Sequence, residues 1–459
     1  MRAKIFDKIY MDFINYIYKK TRHISEDIKA KIVVFSFFML FINMFLSTAG
    51  VYKGSTSIAA FIGVIITFFI ILFGIDKKIE NIEINKNLLI LLYIVSGFFL
   101  ISGILHRVLA YILCSLIFAV LLPILYIIFN DEIGYSKFLI SFNNGIKYSF
   151  ILLIIVSIFI SPLTSGQYAS FLANPNGLGA YLTIVFPCLL YLFETEKDKA
   201  NKVLDVILIG CVFGLSIFVK SRTTYLSFIF IGIVYILYLF INKINLKEIL
   251  IRLFKILLSS ALGTVILFSM LTYVSNFIIS TEKNIFGNSF VVTFKAESSY
   301  REFTSLTEQI SSAADRSKKG IADDNTLSSG RAEIWSMYIG KLNFWGHNAD
   351  KLKVPYQGGY LEANSHNTYL QIAYSAGIIA GLSFVIMNVL FLIYLLKIIF
   401  YGFTNRNLDI KYLFIGSMLI GCEITMVLSS VYYPYISSVS IVYYFVIGYL
   451  FNKQDKLNI

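Results

Sequence analysis

Residues 88–128 read LLILLYIVSGFFLISGILHRVLAYILCSLIFAVLLPILYII, and Arg107 is the one residue among them with a formal charge. The stretch divides into two apolar runs, 88–104 and 108–128, on either side of that arginine. An α-helix needs about 20 predominantly apolar residues to cross a lipid bilayer. The stretch therefore predicts two membrane-spanning helices joined by a very short turn.

Apolar runs of this kind recur along most of the 459 residues. Hydrophobic residues make up 57% of the chain and charged residues only 14%, whereas soluble domains average about 25% charged residues. The predicted fold is all-α, a polytopic transmembrane helix bundle with one long outer loop that carries short helices. A soluble enzyme, a disordered chain and a disulfide scaffold are excluded. The runs number about twelve and lie near 32–49, 56–74, 88–104, 108–128, 146–164, 177–194, 203–219, 224–242, 256–278, 368–396, 412–430 and 435–451.

These runs predict five segments along the chain. The first segment has too many charged residues for the apolar core of a secretory signal, so we expect it to lie on the membrane surface rather than to be cleaved. The segments are a cytoplasmic amphipathic N-terminal segment (1–31), transmembrane spans one to nine (32–278), a long extracytoplasmic loop (279–367), spans ten to twelve (368–451) and a cytoplasmic tail (452–459).

The distribution of Lys and Arg predicts the orientation, because short cytoplasmic loops are enriched in these residues. With the N-terminus inside, the cytoplasmic segments hold 25 of the 39 basic residues, the short outer loops hold 4 and the long loop holds 10. We therefore expect both termini in the cytoplasm and the long loop outside. The net charge of +12 follows mainly from this asymmetry and does not indicate a nucleic-acid partner.

Within the long loop, two stretches differ in character. SSAADRSKKGIADDNTLSSG (311–330) has few apolar residues to pack, so we expect it to be mobile. The following RAEIWSMYIGKLNFWGH repeats apolar residues at helical spacing, which predicts a short helix with Ser329 as its N-cap. The repeating residues are Ile334, Met337, Tyr338 and Leu342.

Polar side chains that could carry chemistry lie at the predicted outer face. Lys220, Ser221 and Arg222 occupy a very short turn between two spans. A guanidinium at membrane depth is costly without an anionic partner, which favours an anion site. The alternative is an interfacial cation that extends its charge into water.

Gly330 and Arg331 form a second candidate. Arg331 would stand in the first turn of the loop helix, where the helix dipole disfavours a cation unless an anion binds there. Amide groups at the helix start and one guanidinium fork would suit a phosphate. A solvated surface arginine is the alternative, and a second arginine facing the same ligand would strengthen the phosphate interpretation.

The run EANSHNTYLQIAYSAGII (362–379) contains the third candidate, His366. Asn364 or Ser365 is expected to cap the helix that begins span ten. A helix N-terminus disfavours the imidazolium form, so His366 should stay neutral and accept a proton from a sugar hydroxyl. Asn367 and Tyr369 add polar groups beside it, and the alternative is a capping or interfacial histidine.

Weaker candidates are Asn174 and Asn176, in an outer turn before span six, and Glu423 inside span eleven. A carboxylate within a span is a functional candidate by default. Glu423 would either orient one of the arginines or form a structural hydrogen bond. Because the chain has no nucleotide-binding, dinucleotide or metal-ligand motif, we expect neither a cofactor nor a metal.

The order of these motifs resembles the O-antigen ligase and O-antigen or capsular polysaccharide polymerase family of bacterial envelope glycan assembly. The resemblance spans the C-terminal two-thirds of the chain. The motifs that carry it are NPNGLGAYL (174–182), SRTTYLSF (221–228), GRAEIW (330–335) and SHNTYLQIAYSAGIIAGL (365–382).

This resemblance implies a multi-pass protein of the bacterial cytoplasmic membrane that transfers sugars from an undecaprenyl-diphosphate-linked oligosaccharide to a glycan acceptor. Arg222 and Arg331 look like the arginines that hold the diphosphate, and His366 looks like the catalytic base. Other residues of the quoted motifs are candidate supporting residues: Ser221, Asn174, Asn176, Gly330, Asn367 and Tyr369. The resemblance does not extend to Lys220 and Glu423, which are candidate supporting residues from their positions alone. A flippase and a chain-length regulator are further candidate partners.

Three functions remain open at this point. A polymerase that joins lipid-linked repeat units is preferred, because no feature indicates a lipid A core acceptor. A ligase that transfers finished glycan to a lipid or protein is the first alternative. A non-enzymatic flippase is the second, although it would place cations in a central cavity between two halves rather than at the outer face.

Overall fold

The computed structural model describes residues 2–49, 51–52, 56–80, 85–128, 137–161, 163, 166–172, 174–274, 277, 281, 305–322, 331–348, 351–356, 359–430 and 438–451. It confirms an all-α, polytopic membrane bundle. About twelve spans were expected, and ten of the described helices are long and apolar enough to cross a membrane. Two further apolar helices, Ile58–Gly74 and Ser438–Leu450, are shorter.

The helices follow the predicted apolar runs in order. They are α1 (Arg2–Thr21), α2 (Glu26–Thr48), α3 (Thr56–Gly74), α4 (Lys86–His106), α5 (Leu109–Ile128), α6 (Phe138–Ile160), α7 (Pro175–Thr195), α8 (Lys199–Val219), α9 (Arg222–Ile241), α10 (Leu246–Val274), α11 (Leu306–Ala322), α12 (Arg331–Ile339), α13 (Thr368–Ala376), α14 (Ile378–Asn405), α15 (Ile410–Leu428) and α16 (Ser438–Phe451).

Helix α7 lies at the centre of the bundle. In its most apolar 18-residue stretch, 89% of the residues are buried, against 28% in the peripheral α10. It packs against α6, α8, α9 and α15. Such a helix must be apolar on every side, which the sequence of α7 satisfies. The central helix therefore places its first turn, near Asn174, among the ends of its neighbours.

Span ten differs from its prediction because it is two helices, α13 and α14, with a break at Gly377. Gly377 adopts a φ of 101°, and a Cβ there would lie 2.1 Å from the Phe344 carbonyl oxygen. Only glycine accepts this conformation and this close approach readily. The break separates the short α13 from α14, and α13 packs against α4, α14 and α15.

Two spans begin earlier than the apolar runs suggested, because their N-terminal halves contain charged side chains that form ion pairs. Helix α10 starts at Leu246, where Asn245 caps it by accepting a hydrogen bond from Glu248 N at 2.8 Å. Arg252 then pairs with Glu194 at 2.5 Å. Helix α6 starts at Phe138 and carries the cation Lys147 inside the bundle.

Lys147 forms a buried ion pair with Asp205 of α8. Its Nζ lies 3.0 Å from Asp205 Oδ1, and both side chains are at most 4% exposed. The other carboxylate oxygen of Asp205 has no hydrogen-bond partner among the described residues. The pair joins the first halves of two helices, which lie in the half of the bundle opposite the candidate site.

We expect Lys147→Met to lower the free energy of unfolding by about 3–5 kcal/mol, because it leaves a buried carboxylate without its partner. The double variant Lys147→Met/Asp205→Leu should regain most of that loss. Thermal unfolding in detergent would measure both. Lys137→Met is the control, because the Lys137–Asp27 pair is exposed to solvent and should contribute little. Equal stability of the single and double variants would contradict the prediction.

The long loop contains more structure than predicted. Helix α12 lies where a short helix was expected, and Ser329 lies outside the described residues. Residues 311–322, which we expected to be mobile, belong to α11. Strands β1 (Leu352–Tyr356) and β2 (Gly359–Ala363) form an antiparallel hairpin that pairs Leu352 with Ala363.

Candidate active site

The predicted outer loops meet at one end of the bundle. Short connections make neighbouring helices antiparallel, so the end of α8 and the start of α9 face the same side. Tyr168 N donates to Phe218 O at 2.9 Å, and Thr368 Oγ1 donates to Ser429 O at 2.8 Å. The first bond holds the segment before α7 against the end of α8, and the second holds the start of α13 against the end of α15.

Asn174 and Asn176 stand at the start of α7. The Asn174 side chain caps the helix by accepting a hydrogen bond from Asn176 N at 2.8 Å, and Pro175 fits the first helical position. Asn176 lies on a small cleft between α7, α9 and α15. The other polar residues that line this cleft are Ser221, Thr223, Thr224, Thr425 and Ser429.

The close approach of α7 to α9 depends on a glycine. A Cβ at Gly179 would lie 2.2 Å from Thr224 Oγ1. The absence of a side chain lets the first turns of the two helices sit side by side. Asn176 and Ser221 therefore share one cleft, although they are far apart in the sequence.

Lys220 closes α8 in a left-handed conformation with a φ of 52°. Its side chain is only 3% exposed, and its Nζ donates to Ser312 Oγ of α11 at 3.2 Å. Burial lowers the pKa of Lys220, and the positive charge of Arg316 lowers it further. Lys220 thus joins the α8–α9 turn to α11.

Arg222 is the first residue of α9, and Arg331 is the first residue of α12. Burial lowers the pKa of the Arg331 guanidinium, and the charges of Arg222 and then Arg316 lower it further. The two predicted arginines therefore lie close enough for an electrostatic interaction. Among the described residues, Arg331 forms no ion pair with a carboxylate.

His366 lies in a tight turn before α13, with a φ of 49°. Its backbone N–H donates to Asn364 Oδ1 at 3.2 Å, and Ser365 Oγ donates to Asn367 O at 2.7 Å. Because left-handed backbone is uncommon for a residue other than glycine, these bonds stabilise a conformation that His366 would not adopt alone. The turn presents the imidazole to the site.

The expected helix cap at Asn364 or Ser365 is wrong, because Asn367 is the N-cap of α13. Its Oδ1 accepts from Leu370 N at 2.9 Å, while Asn364 and Ser365 bond within the turn. Asn367 Nδ2 also donates to Val427 O of α15 at 2.9 Å. Asn367 therefore fixes the position of the His366 turn on the bundle.

Helix α12 connects Arg331 to the His366 turn. Trp335 Nε1 donates to Ser365 O at 2.8 Å, and Tyr338 OH donates to Ala363 O at 3.0 Å. This packing half-buries the His366 side chain and places it near Arg331. Burial lowers its pKa, and the positive charge of Arg331 lowers it further. Neither ring nitrogen bonds to a residue in the described part of the chain, so a neutral imidazole is available to a ligand.

The family comparison matches this part of the molecule. Residues 204–385 match the O-antigen ligase family model. This segment of the chain is similar to the O-antigen ligase family. This confirms the resemblance that the sequence motifs indicated, and it supports the transfer of a glycan by a ligase or polymerase type of enzyme. Comparisons with curated proteins and with solved structures gave no match.

The matched domain, residues 204–385, contains Arg222, Arg331 and His366, together with Lys220 and Asn367. Asn174, Asn176 and Glu423 lie outside the matched residues and reach the same end of the bundle through α7 and α15. Gly330 is outside the described residues. The domain therefore supplies the charged groups, while the flanking helices supply part of the polar cleft.

Glu423 does not pair with either predicted arginine among the described ion pairs. It accepts hydrogen bonds from Tyr369 of α13 and, at 3.2 Å, from Tyr443 of α16. These contacts correspond to the structural alternative, because they hold α13 against α15 below the His366 turn. Tyr369 and Glu423 therefore bond to each other within the bundle.

Arg316 of α11 is a residue that sequence analysis missed. Partial desolvation lowers the pKa of its guanidinium, and the charge of the nearby Arg222 lowers it further. The surrounding sequence suggested an unpacked segment and contained no signal for this position. In the described part of the chain, no group of three or more His, Cys, Asp and Glu side chains is placed to hold a metal ion.

Proposed function

We propose that the protein is a polysaccharide polymerase that joins undecaprenyl-diphosphate-linked oligosaccharide repeat units at the outer face of the bacterial cytoplasmic membrane. The observation that carries the proposal is the meeting of Arg222, Arg331 and His366 at one end of the bundle. Two guanidinium groups suit a diphosphate, and a neutral imidazole suits a sugar hydroxyl. The excess of Lys and Arg in the short loops at the other end supports an extracytoplasmic site.

The proposed reaction is a single displacement with inversion at the anomeric carbon. His366 accepts the proton of the acceptor hydroxyl as its oxygen forms a bond to that carbon. The bond from the anomeric carbon to the phosphate oxygen breaks, and the electron pair leaves with the lipid diphosphate. Arg222 and Arg331 stabilise the negative charge that grows on the departing oxygen.

We expect EDTA to leave the transfer rate unchanged, because the arginines supply the positive charge that a metal would otherwise provide for a departing diphosphate. The rate of transfer to an acceptor, measured with the purified protein before and after chelation, tests this. A rate that falls in EDTA and recovers with added Mg²⁺ would contradict metal-independent transfer.

A ligase that transfers lipid-linked glycan to a lipid or protein acceptor is the second candidate, since the matching family model is described as O-antigen ligase. The same three residues would serve either enzyme, because the donor chemistry is shared. The acceptor alone separates the two functions, and the discriminating measurement must therefore follow the product.

The decisive experiment is the size distribution of surface and lipid-linked glycan in the source strain after deletion, with complementation by wild type or by His366→Ala. Collapse to single lipid-linked repeats, rescued by wild type alone, supports the polymerase. Long polymer that stays on its lipid carrier identifies a ligase. Repeats that remain on the cytoplasmic leaflet would instead indicate a flippase and overturn the enzymatic proposal.

A further inference from the structure

Helix α11 lies against the end of the bundle through one of its faces. Gln309 is 1% exposed and Ala313 is 8% exposed, and Leu306 packs against the main hydrophobic core. The spacing of these residues, three and then four positions, places them on one side of a helix. The helix contacts α8, whose C-terminus leads into the turn that carries Lys220 and Arg222.

A hydrogen bond fixes the position of α11 at that turn. Lys220 Nζ donates to Ser312 Oγ at 3.2 Å. Residues four positions apart are neighbours on a helix surface, so Arg316 lies on the same face as Ser312, one turn further along. Because Lys220 is two residues before Arg222, this bond holds Arg316 beside the start of α9.

The three guanidinium groups of this cluster influence one another, and Tyr225 also acts on Arg316. The charge of Arg222 acts on Arg316, and the charges of both act on Arg331. The Arg316 side chain is exposed, and it forms no ion pair with a carboxylate in the described part of the chain. Like charges brought together in a partly desolvated place repel one another, and an anion bound between them offsets that cost.

We propose that Arg316 is a third diphosphate-binding arginine, which α11 delivers to the pair Arg222 and Arg331. This inference rests on the proposed function and adds a residue to its donor site. Each phosphate of the donor diphosphate carries a negative charge, and the breaking of the glycosidic bond adds another to the departing oxygen. A third guanidinium therefore stabilises the transition state more than the bound donor, which is the condition for raising the rate of transfer.

The test compares Arg316→Gln and Arg316→Lys with Lys341→Gln in the full-length protein in lipid nanodiscs. Lys341 is an exposed basic residue of the same loop, beyond the end of α12, so its variant removes a charge outside the cluster. We expect Arg316→Gln to lower the transfer rate and the affinity for inorganic pyrophosphate by roughly 10- to 100-fold each. Arg316→Lys should recover part of both, because it keeps the charge and loses the fork.

Two readouts separate this inference from the proposed function. Arg316→Gln that behaves like Lys341→Gln in both measurements, while Arg331→Gln loses transfer, would overturn the role of Arg316 alone. Absence of glycosyl transfer by the wild-type protein would overturn the proposed function. Pyrophosphate binding by calorimetry still tests Arg316 in that case, and unchanged affinity in Arg316→Gln would refute the third arginine.

Discussion

Replacing His366 by asparagine should lower the turnover number by roughly 100- to 10,000-fold, the usual contribution of a positioned general base. Asparagine tolerates the left-handed backbone at this position better than most residues, so the variant removes the imidazole and preserves the turn. The hydrogen bonds of Asn364, Ser365 and Asn367 that build the turn do not involve the His366 ring. The protein should therefore accumulate in the membrane at the wild-type level.

The pH profile of the wild-type rate provides a second sign of the same role. A lowered pKa means that His366 loses its proton below the ordinary histidine value of 6.5, because burial and Arg331 both disfavour the imidazolium form. We expect the rate to be constant around neutral pH and to fall only as the pH drops through that lowered pKa. His23→Ala, at an exposed histidine between α1 and α2, is the control and should leave rate and profile unchanged. A rate within a few-fold of wild type in His366→Asn would exclude the base.

The apolar runs were sufficient to predict the helix bundle. Backbone groups in the bilayer must form their hydrogen bonds within the protein, and a helix forms them between residues close in sequence. The sequence placed Arg222 in the short turn before a span expected near 224–242, and the structure makes it the first residue of α9. The N-cap of α13 was predicted at the wrong residue, because the stretch ANSHNT (363–368) contains several residues that can cap a helix. Asn367 is the N-cap because the side chains of Asn364 and Ser365 form hydrogen bonds within the preceding turn.

Contacts between distant residues could not be predicted in the same way. The Lys147–Asp205 pair and the Lys220–Ser312 bond each join helices that a single sequence does not relate. Arg316 entered the site only because α11 docks through Gln309 and Ala313, a face too weakly apolar to identify from composition. The hydrogen bonds of Glu423 with Tyr369 and Tyr443 also depend on the packing of α13, α15 and α16.

The second large effect is expected for Arg331→Gln, which should lower the transfer rate by roughly 100- to 1,000-fold, as the loss of one preorganised charge donor does in other enzymes. The same variant should move the acidic limb of the pH profile to higher pH. The reason is that the charge of Arg331 is one of the two causes that lower the pKa of His366. Without that charge, His366 retains its proton at a higher pH, and the active fraction of the enzyme falls sooner on acidification.

Two matched variants separate the two roles of Arg331. Arg331→Lys keeps the charge and should leave the acidic limb in place, while the loss of the guanidinium fork still reduces the rate. Arg222→Gln should lower the rate without moving the limb, because burial and Arg331 account for the lowered pKa of His366. Rate against pH, measured for all three variants at saturating donor, decides the matter. If the limb does not move in Arg331→Gln, the arginine and the histidine do not share one site, and the proposed mechanism loses the contact on which it depends.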